Sequence, residues 1–257
     1  DRTITPVEVA QGFLARMDAL EPRLEAWVRV DRETVLADAQ QRQAELESGA
    51  ETGPLHGVPI GIKDQVYTKG ILTTGGSTIL KDFVPDEDAT VVTKLNDAGA
   101  VLLGKLNMSE FAHGEHQSSA FGPARNPWDL TRSPGVSSTG SGAATAARLC
   151  ATSLGEDTGG SIRGPAANCG LVGLRPTWGR VSRYGVNGAG WSFDTIGPIS
   201  RTVEDCAITI GGIAGYDRQD PSTHQVPVPD YQAALTGDIK GLKVCVVQEL
   251  IDPEELD

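Results

Sequence analysis

Clustered cysteines, an excess of basic residues and long apolar runs are all missing from this sequence of 257 residues. The four cysteines lie far apart and form no C-x-x-C pair, which argues against a zinc site and against a disulfide framework. Phosphate binding needs clustered cations, yet 22 Lys and Arg face 34 Asp and Glu, so we do not expect nucleic acid as a direct partner. No run approaches ~18 apolar residues, and the N-terminus carries no basic-then-apolar signal. The sequence therefore predicts a soluble, cytoplasmic protein with reduced thiols and no membrane contact.

What the chain does contain is an alternation of helical and apolar segments. Thr5-Pro6-Val7-Glu8 has the pattern of a capping box with proline in the first helical turn. Asp31 begins a second helix that ends near Gly49. Helices that alternate with buried apolar strands are typical of an α/β fold, so we predict a sandwich in which helices cover both faces of a mixed sheet. The further predicted helices span 89–98 (capped by Asp88), 142–149 and 202–213, and the predicted strands span 27–30, 57–64, 100–104, 151–154, 171–174, 180–182 and 242–247.

The stretch 154–175 has at its centre the turn Gly159-Gly160-Ser161. Glycine lets backbone N–H groups approach one point closely, and a helix that begins at Ser161 would add unpaired N–H groups there. A hydroxyl beside converging donors suits acyl transfer, because negative charge develops on the attacked carbonyl oxygen. The tripeptide alone is more typical of an ordinary loop, and the wider context is what favours the nucleophile.

Lys63 ends an apolar strand, an unusual position for a lysine. Burying an ammonium costs several kcal/mol unless it is paired or neutralised. Either Lys63 pairs with Asp64 or reaches solvent, or its pKa is depressed and it serves as a base. Similarly, the serine-rich loop 134–141 precedes an alanine-rich helix and could either cap that helix or hold a hydroxyl relay.

Two other motifs point to no ligand. His113-Gly114-Glu115-His116 has two histidines and a glutamate without a third partner in register, so an exposed polar turn is expected there instead of a metal site. Residues 99–105 resemble the start of a phosphate loop, but Leu106 occupies the position that requires Ser or Thr. We therefore expect neither a metal nor another cofactor.

Taken together, several segments make the chain resemble the amidase signature family. They are GVPIGIKD, FGPARNPWDL, SPGVSSTGSGAATAA, GEDTGGSIRGPAANCGLVGLRPTWGRVSRYG, DTIGPISRTVEDCA and GLKVCVV. The resemblance extends over nearly the whole chain from about Glu8 onward. It implies an α/β/α sandwich with a central, mixed, twisted sheet. Because family members are usually much longer, residues 1–257 are expected to form a single domain that corresponds to the N-terminal half of such a protein.

The resemblance also implies a set of active-site residues. The family's nucleophilic serine falls on Ser161, its bridging serine, held by a cis peptide, on Ser137, and its lysine on Lys63. Neutral Lys63 would take a proton from Ser137, which takes one from Ser161 as that hydroxyl attacks the amide carbonyl. The implied oxyanion donors are backbone N–H groups of the turn, namely those of Thr158, Gly159, Gly160 and Ser161.

At several positions the sequence departs from the family pattern. Val136 and Thr139 replace two loop glycines, and both are β-branched, which disfavours positive φ. Ser138 competes with Ser137 for the bridging role, although the family alignment favours Ser137. Glu156 stands where a small polar residue is common. His113 stands where methionine is frequent, which makes it a candidate substrate-pocket residue.

Three functions are compatible with these patterns. The first is an amidase that hydrolyses a small linear amide, with carbamates and aryl amides as further candidate substrates. The second is the glutaminase component, the A subunit, of a tRNA-dependent amidotransferase, which delivers ammonia to partner subunits. The third is a non-catalytic scaffold with the same fold. The expected partners are a small-molecule amide and either a second copy in a homodimer or, under the second function, the amidotransferase subunits.

Overall fold

Helices and strands alternate along residues 3–245, the part of the chain that the computed structural model describes. The helices are α1 (Pro6–Leu24), α2 (Arg32–Ser48), α3 (Thr90–Asp97), α4 (Thr139–Ala146), α5 (Arg163–Asn168) and α6 (Val203–Ile213). The strands are β1 (Trp27–Val30), β2 (Pro59–Lys63), β3 (Val101–Leu106), β4 (Thr152–Asp157), β5 (Val172–Gly173) and β6 (Thr195–Ser200).

The strands form one mixed sheet in the order β1-β3-β2-β4-β6-β5. β2 is parallel to both of its neighbours, β3 and β4, whereas β1, β5 and β6 pair in antiparallel fashion. The carboxyl ends of parallel strands meet at the same edge of a sheet. In the β2–β4 register Ile62 lies opposite Leu154, so Lys63 at the end of β2 comes beside the last residues of β4.

Helices cover both faces of this sheet. One apolar cluster joins α1, α2 and α4 to the sheet, and a second joins α3 and α6 to it. Successive residues of β3 point to opposite faces, since Leu103 belongs to the first cluster while Leu102 packs against the second. The predicted α/β sandwich is therefore confirmed.

The first three predicted elements are also confirmed. At the start of α1, the Glu8 amide donates to Thr5 Oγ1 at 3.2 Å and the Thr5 amide donates to Glu8 Oε2 at 2.8 Å, which is the predicted capping box. β1 spans the predicted residues 27–30. Asp31 caps α2, and Gly49 ends it with a left-handed φ of 76°.

Several predicted boundaries are wrong. Ala89, not Asp88, is the N-cap of α3, because the Asp88 carboxylate instead accepts a hydrogen bond of 2.7 Å from the Lys69 amide. α4 begins at Thr139, inside the serine-rich loop, and ends at Ala146. The predicted strand at 180–182 is only an isolated bridge between Val181 and Ala214.

Two further differences from the predicted strands lie in the last third of the chain. β6 was not among the predicted strands, yet it pairs with β4 along its whole length. Of the predicted strand 242–247, residues 242–245 are exposed and not in a strand, and 246–247 lie outside the described residues. Between residues 3 and 245, no helix combines the length and the apolar character needed to cross a bilayer.

Candidate active site

Lys63 is fully buried at the end of β2, and among the described residues its side chain forms no ion pair with Asp64. Its Nζ lies 2.8 Å from Ser137 Oγ and 3.3 Å from both the carbonyl oxygen and Oε2 of Glu156. Asp64 instead accepts hydrogen bonds from the amide and the hydroxyl of Thr74. Burial lowers the pKa of Lys63, and the Glu156 carboxylate opposes that shift. The side chain is thus placed to exchange a proton with Ser137.

The serine-rich loop presents Ser137 to this lysine. The Val136–Ser137 peptide is cis, and the Ser137 side chain is fully buried. The Ser138 hydroxyl has no hydrogen bond with Lys63 in the described structure; it donates at 3.3 Å to the carbonyl oxygen of Glu156, which Lys63 Nζ also approaches. The geometry therefore brings Ser137, and not Ser138, to Lys63.

The two β-branched residues of this loop fit it without a left-handed backbone. Neither Val136 nor Thr139 has a positive φ, and Thr139 is already the first residue of α4. The left-handed conformation falls on Gly135, at φ 107°, where a Cβ would meet the backbone of Pro165 at 2.6 Å. Val136 and Thr139 thus replace glycine at positions whose backbone conformation does not require glycine.

Asp157, the last residue of β4, holds the turn that carries Ser161. Its Oδ1 accepts from the Gly160 amide at 2.7 Å, and its Oδ2 accepts from the Ile162 amide at 3.1 Å and from Arg163 Nε at 3.0 Å. Burial acts to raise the pKa of Asp157, but these hydrogen bonds together keep it below its usual value. An ionised carboxylate therefore fixes the backbone on both sides of Ser161.

The predicted oxyanion donors differ in their availability. The Gly160 amide is occupied by Asp157, so it is not a free donor in this structure. Within the described part of the chain, the Gly159 and Ser161 amides donate to no protein acceptor. A Cβ on Gly159 would meet nothing within 4 Å, which shows that the backbone there is open to a ligand. α5 begins at Arg163, two residues later than predicted, so Ser161 lies before the helix.

Ser161 lines an open cleft of about 500 Å³. Lys63 and Ser137 are fully buried and are not part of its lining, although Val136, the residue before Ser137, is. The Ser161 hydroxyl forms no hydrogen bond with Ser137 or with any other described residue, so the structure contains one link of the predicted relay, from Lys63 to Ser137, and not the second. The cleft is lined by Ala112, His113, Ser133, Gly135, Val136, Thr158, Gly159, Gly160, Ser161, Gly164, Asn168 and Ala189.

His113, the candidate substrate-pocket residue, lies in the wall of this cleft. It is exposed and follows a short 3-10 turn, whereas His116 begins another such turn. Across residues 3–245, no three His, Cys, Asp or Glu side chains come together in a way that could hold a metal ion.

Sequence reasoning missed the polar group around Lys63. Glu156 stood out only as an unusual residue, but its side chain is fully buried and contacts Lys63. Gln65 Nε2 donates to Glu156 Oε2 at 3.4 Å, and Thr158 Oγ1 lies 2.8 Å from Glu156 Oε1 and 2.6 Å from Asp194 Oδ1. Glu156 could have been identified only from the pairing of β4 with β2, because parallel pairing brings the end of β4 beside Lys63.

Known proteins resemble this chain in sequence and in fold. The model of the Amidase family matches residues 8–256. The chain is 50% identical, over 98% of its residues, to the A subunit of glutamyl-tRNA(Gln) amidotransferase from Geobacter metallireducens, and the match covers 53% of that protein. The solved structure of the peptide amidase from Stenotrophomonas maltophilia superposes with a TM-score of 0.86 at 41% identity, over 90% of this chain and 49% of that one.

A further solved structure comes from a complex described as vestigial and as revealing the origins of an s-triazine catabolic enzyme. It superposes with a TM-score of 0.90 at 38% identity, over 93% of this chain and 53% of that one. The chain therefore spans about half the length of the relatives it matches. The match of nearly the whole chain to the family model, at high identity to its members, shows that this chain belongs to the amidase signature family.

Proposed function

We propose that this chain carries the catalytic serine, relay and oxyanion donors of an enzyme that hydrolyses a carbon–nitrogen bond in an amide. The observation that supports this most strongly is the buried contact of 2.8 Å between Lys63 Nζ and Ser137 Oγ, beside the glycine turn that bears Ser161. A buried lysine whose pKa is lowered is suited to act as a base. The proposed nucleophile is Ser161, and the proposed oxyanion donors are the free amides of the turn.

In the proposed mechanism a proton passes from Ser161 through Ser137 to Lys63 while Ser161 attacks the substrate. Neutral Lys63 accepts the proton of Ser137, and Ser137 accepts the proton of Ser161 as Ser161 Oγ bonds to the amide carbon. The carbonyl oxygen becomes negative and is stabilised by backbone N–H groups. The proton then returns through the relay to the leaving nitrogen, the C–N bond breaks, and water hydrolyses the resulting ester. For this to occur, the Ser161 hydroxyl must turn to Ser137 when substrate fills the cleft, since apo contacts of this kind are often long.

The substrate we favour is glutamine, with this chain as part of the glutaminase component of an amidotransferase. The support is the 50% identity, over nearly the whole chain, to the A subunit of glutamyl-tRNA(Gln) amidotransferase. Under this proposal the released ammonia passes to partner subunits, and those subunits bind the tRNA. The formal charge of −12 is compatible with such a division of labour, because this chain itself need not contact phosphate.

A second candidate is an independent amidase acting on a small linear amide, with carbamates and aryl amides as further substrates. The TM-score of 0.86 to a peptide amidase favours it. Glu156 in place of a small polar residue also distinguishes the site from the usual family pattern. A non-catalytic scaffold is the least supported function, because such a protein would have no need of the buried Lys63–Ser137 contact.

The proposal is tested with the full-length protein, as the wild type and as Ser161→Ala. We expect a fluorophosphonate probe to label the wild type at Ser161 and the variant not at all. Release of glutamate from glutamine only with co-purified subunits would support the amidotransferase function, and hydrolysis of other small amides by the protein alone would support the second candidate. Labelling of a residue other than Ser161, or none, would refute the assignment.

A further inference from the structure

Glu156 is a fully buried carboxylate whose two oxygens face different groups. Oε2 lies 3.3 Å from Lys63 Nζ and 3.4 Å from Gln65 Nε2, while Oε1 lies 2.8 Å from Thr158 Oγ1. Both members of the Lys63–Glu156 pair have no solvent-exposed side-chain surface. Water therefore does not screen their interaction, and the Glu156 carboxylate favours the protonated form of Lys63.

The charged groups with the largest effect on Lys63 are carboxylates. Besides Glu156, the carboxylates that act on Lys63 are Asp157, at the end of the same strand, and Asp194, which precedes β6. Asp157 is already paired with Arg163, and Asp194 accepts hydrogen bonds from the Ala189 and Gly190 amides. Of these carboxylates, Glu156 is the one in direct contact with Nζ, so it has the largest effect on the ammonium.

We propose that Glu156 is the counter-ion of the lysine base. Its carboxylate stabilises the ammonium that forms when the relay takes the Ser161 proton, and it thereby sets the pH at which Lys63 is free to accept that proton. This inference rests on the proposed function, in which Lys63 is the base. Glu156 itself touches no substrate and is a positioning residue, comparable with the buried carboxylate that orients and stabilises the imidazolium of a Ser-His-Asp triad.

The substitution that separates charge from packing is Glu156→Gln. A glutamine can place its carbonyl oxygen toward Lys63 and Gln65 and donate its NH₂ to Thr158, so it keeps the shape and the contacts of the site. It removes only the negative charge. An opposite charge at this distance typically shifts a pKa by about 1–3 units, and without it the lysine loses its proton at lower pH.

The measurement is the rate of fluorophosphonate labelling of Ser161 as a function of pH in the full-length protein. We expect the acid limb of the Glu156→Gln profile to lie about 1–3 units below that of the wild type. We also expect the plateau rate to fall, because a base of lower pKa with an unstabilised ammonium is less effective. The two profiles should therefore cross, a pattern that a purely structural role would not give.

Three further variants control this experiment. Glu156→Asp keeps the charge and should keep the acid limb near its wild-type position. Glu21→Gln removes a mostly buried carboxylate in α1, away from the cleft, and should leave the limb unchanged. Glu156→Ser also removes the charge and should shift the limb in the same direction, so it replaces Glu156→Gln if that variant does not fold.

The possible outcomes separate the two proposals. An acid limb that stays in place or moves to higher pH in folded Glu156→Gln or Glu156→Ser, while wild-type Ser161 is labelled, would overturn the counter-ion role and leave the proposed function intact. No labelling of wild-type Ser161 at any pH would refute the proposed function and, with it, the role of Glu156.

Discussion

Two lysines on neighbouring strands, Lys63 and Lys105, are both fully buried, but their surroundings differ. Lys105 Nζ donates to the Val66 carbonyl and, at 3.1 Å, to Thr68 Oγ1, and burial lowers the pKa of Lys105 to about 8. Both of these contacts lie in the segment that follows β2. Lys63 instead contacts the hydroxyl of Ser137, the residue after Val136 of the cleft lining. Burial alone therefore does not distinguish the lysine that we propose as the base; the contact with Ser137 does.

This contrast gives a matched pair of variants. We expect Lys63→Met to lower the rate of Ser161 labelling by ~10²–10⁴-fold, since a general base contributes about that much. Lys105→Met removes an equally buried ammonium outside the relay and should change the rate by less than ~10-fold, below that range. The rates are measured on variants whose folding has been checked by circular dichroism. Similar losses in both variants would show that the effect is structural.

At the residue scale, the sequence predicted the components of the site but not all of their contacts. A lysine at the end of an apolar strand and a serine after paired glycines are local signals, and both residues lie where those signals suggest. The contact between Lys63 and Glu156 depends on β2 and β4 being neighbours, which no local pattern specifies. Buried polar partners on different strands are thus the part of a site that sequence patterns miss.

At the scale of single elements, the turn between β4 and α5 shows why helix starts are difficult to predict. The pattern around Ser161 suggested a helix start there, but the Asp157 carboxylate binds the Gly160 and Ile162 amides and delays the helix to Arg163. Similarly, the Asp88 carboxylate accepts a hydrogen bond from the Lys69 amide, so Ala89 and not Asp88 is the N-cap of α3. In both cases the hydrogen bonds of an aspartate side chain determine where the helix begins.

The two glycines of this turn have different roles, which leads to a second matched test. Gly160 has a φ of 138°, a conformation that costs other residues about 1–3 kcal/mol. Gly159 has no positive φ, and a Cβ there would meet nothing within 4 Å. We therefore expect Gly160→Ala to lower both the labelling rate and the free energy of unfolding, the latter by about 1–3 kcal/mol. Gly159→Ala should leave the free energy of unfolding within about 0.5 kcal/mol of wild type.

Both quantities are measured on the same preparations, by urea titration and by probe labelling. If Gly160→Ala were as stable and as reactive as the wild type, the left-handed glycine would not be needed to shape the turn. A loss of stability in Gly159→Ala would show that the space beside it is occupied in the folded protein.

At the scale of the whole molecule, the parallel arrangement of β2 and β4 joins the site to the core. The same strands that place Ile60, Ile62 and Leu154 in the apolar cluster with α3 and α6 end at the edge where Lys63 and Glu156 meet. The sandwich itself could be predicted, because alternating helices and apolar strands determine the layers. The order of strands in the sheet could not, because it depends on long-range pairing such as that of β4 with β6.

The stability of the whole molecule should also depend on pH through Glu21, at the junction of α1 and β1. Its Oε1 accepts from the Trp27 amide at 2.7 Å, and its Oε2 is buried without a hydrogen-bond partner. Burial raises the pKa of Glu21 from its ordinary 4.5 to about 7. Between those two pH values the folded protein holds a proton that the unfolded chain releases, so this contribution to stability is complete below pH ~4.5 and is lost as the pH rises through ~7.

Glu21→Gln isolates this contribution, because glutamine mimics the protonated carboxyl at every pH and still accepts from the Trp27 amide. We expect the variant to match the wild type at pH 4.5 and to exceed its free energy of unfolding by about 3 kcal/mol at pH 8, since each pKa unit corresponds to about 1.4 kcal/mol. Urea denaturation at both pH values measures the difference, with Glu51→Gln, at an exposed position, as the control. A difference that does not grow with pH would mean that Glu21 is ionised in the folded protein at neutral pH, and that the corner between α1 and β1 tolerates a buried charge.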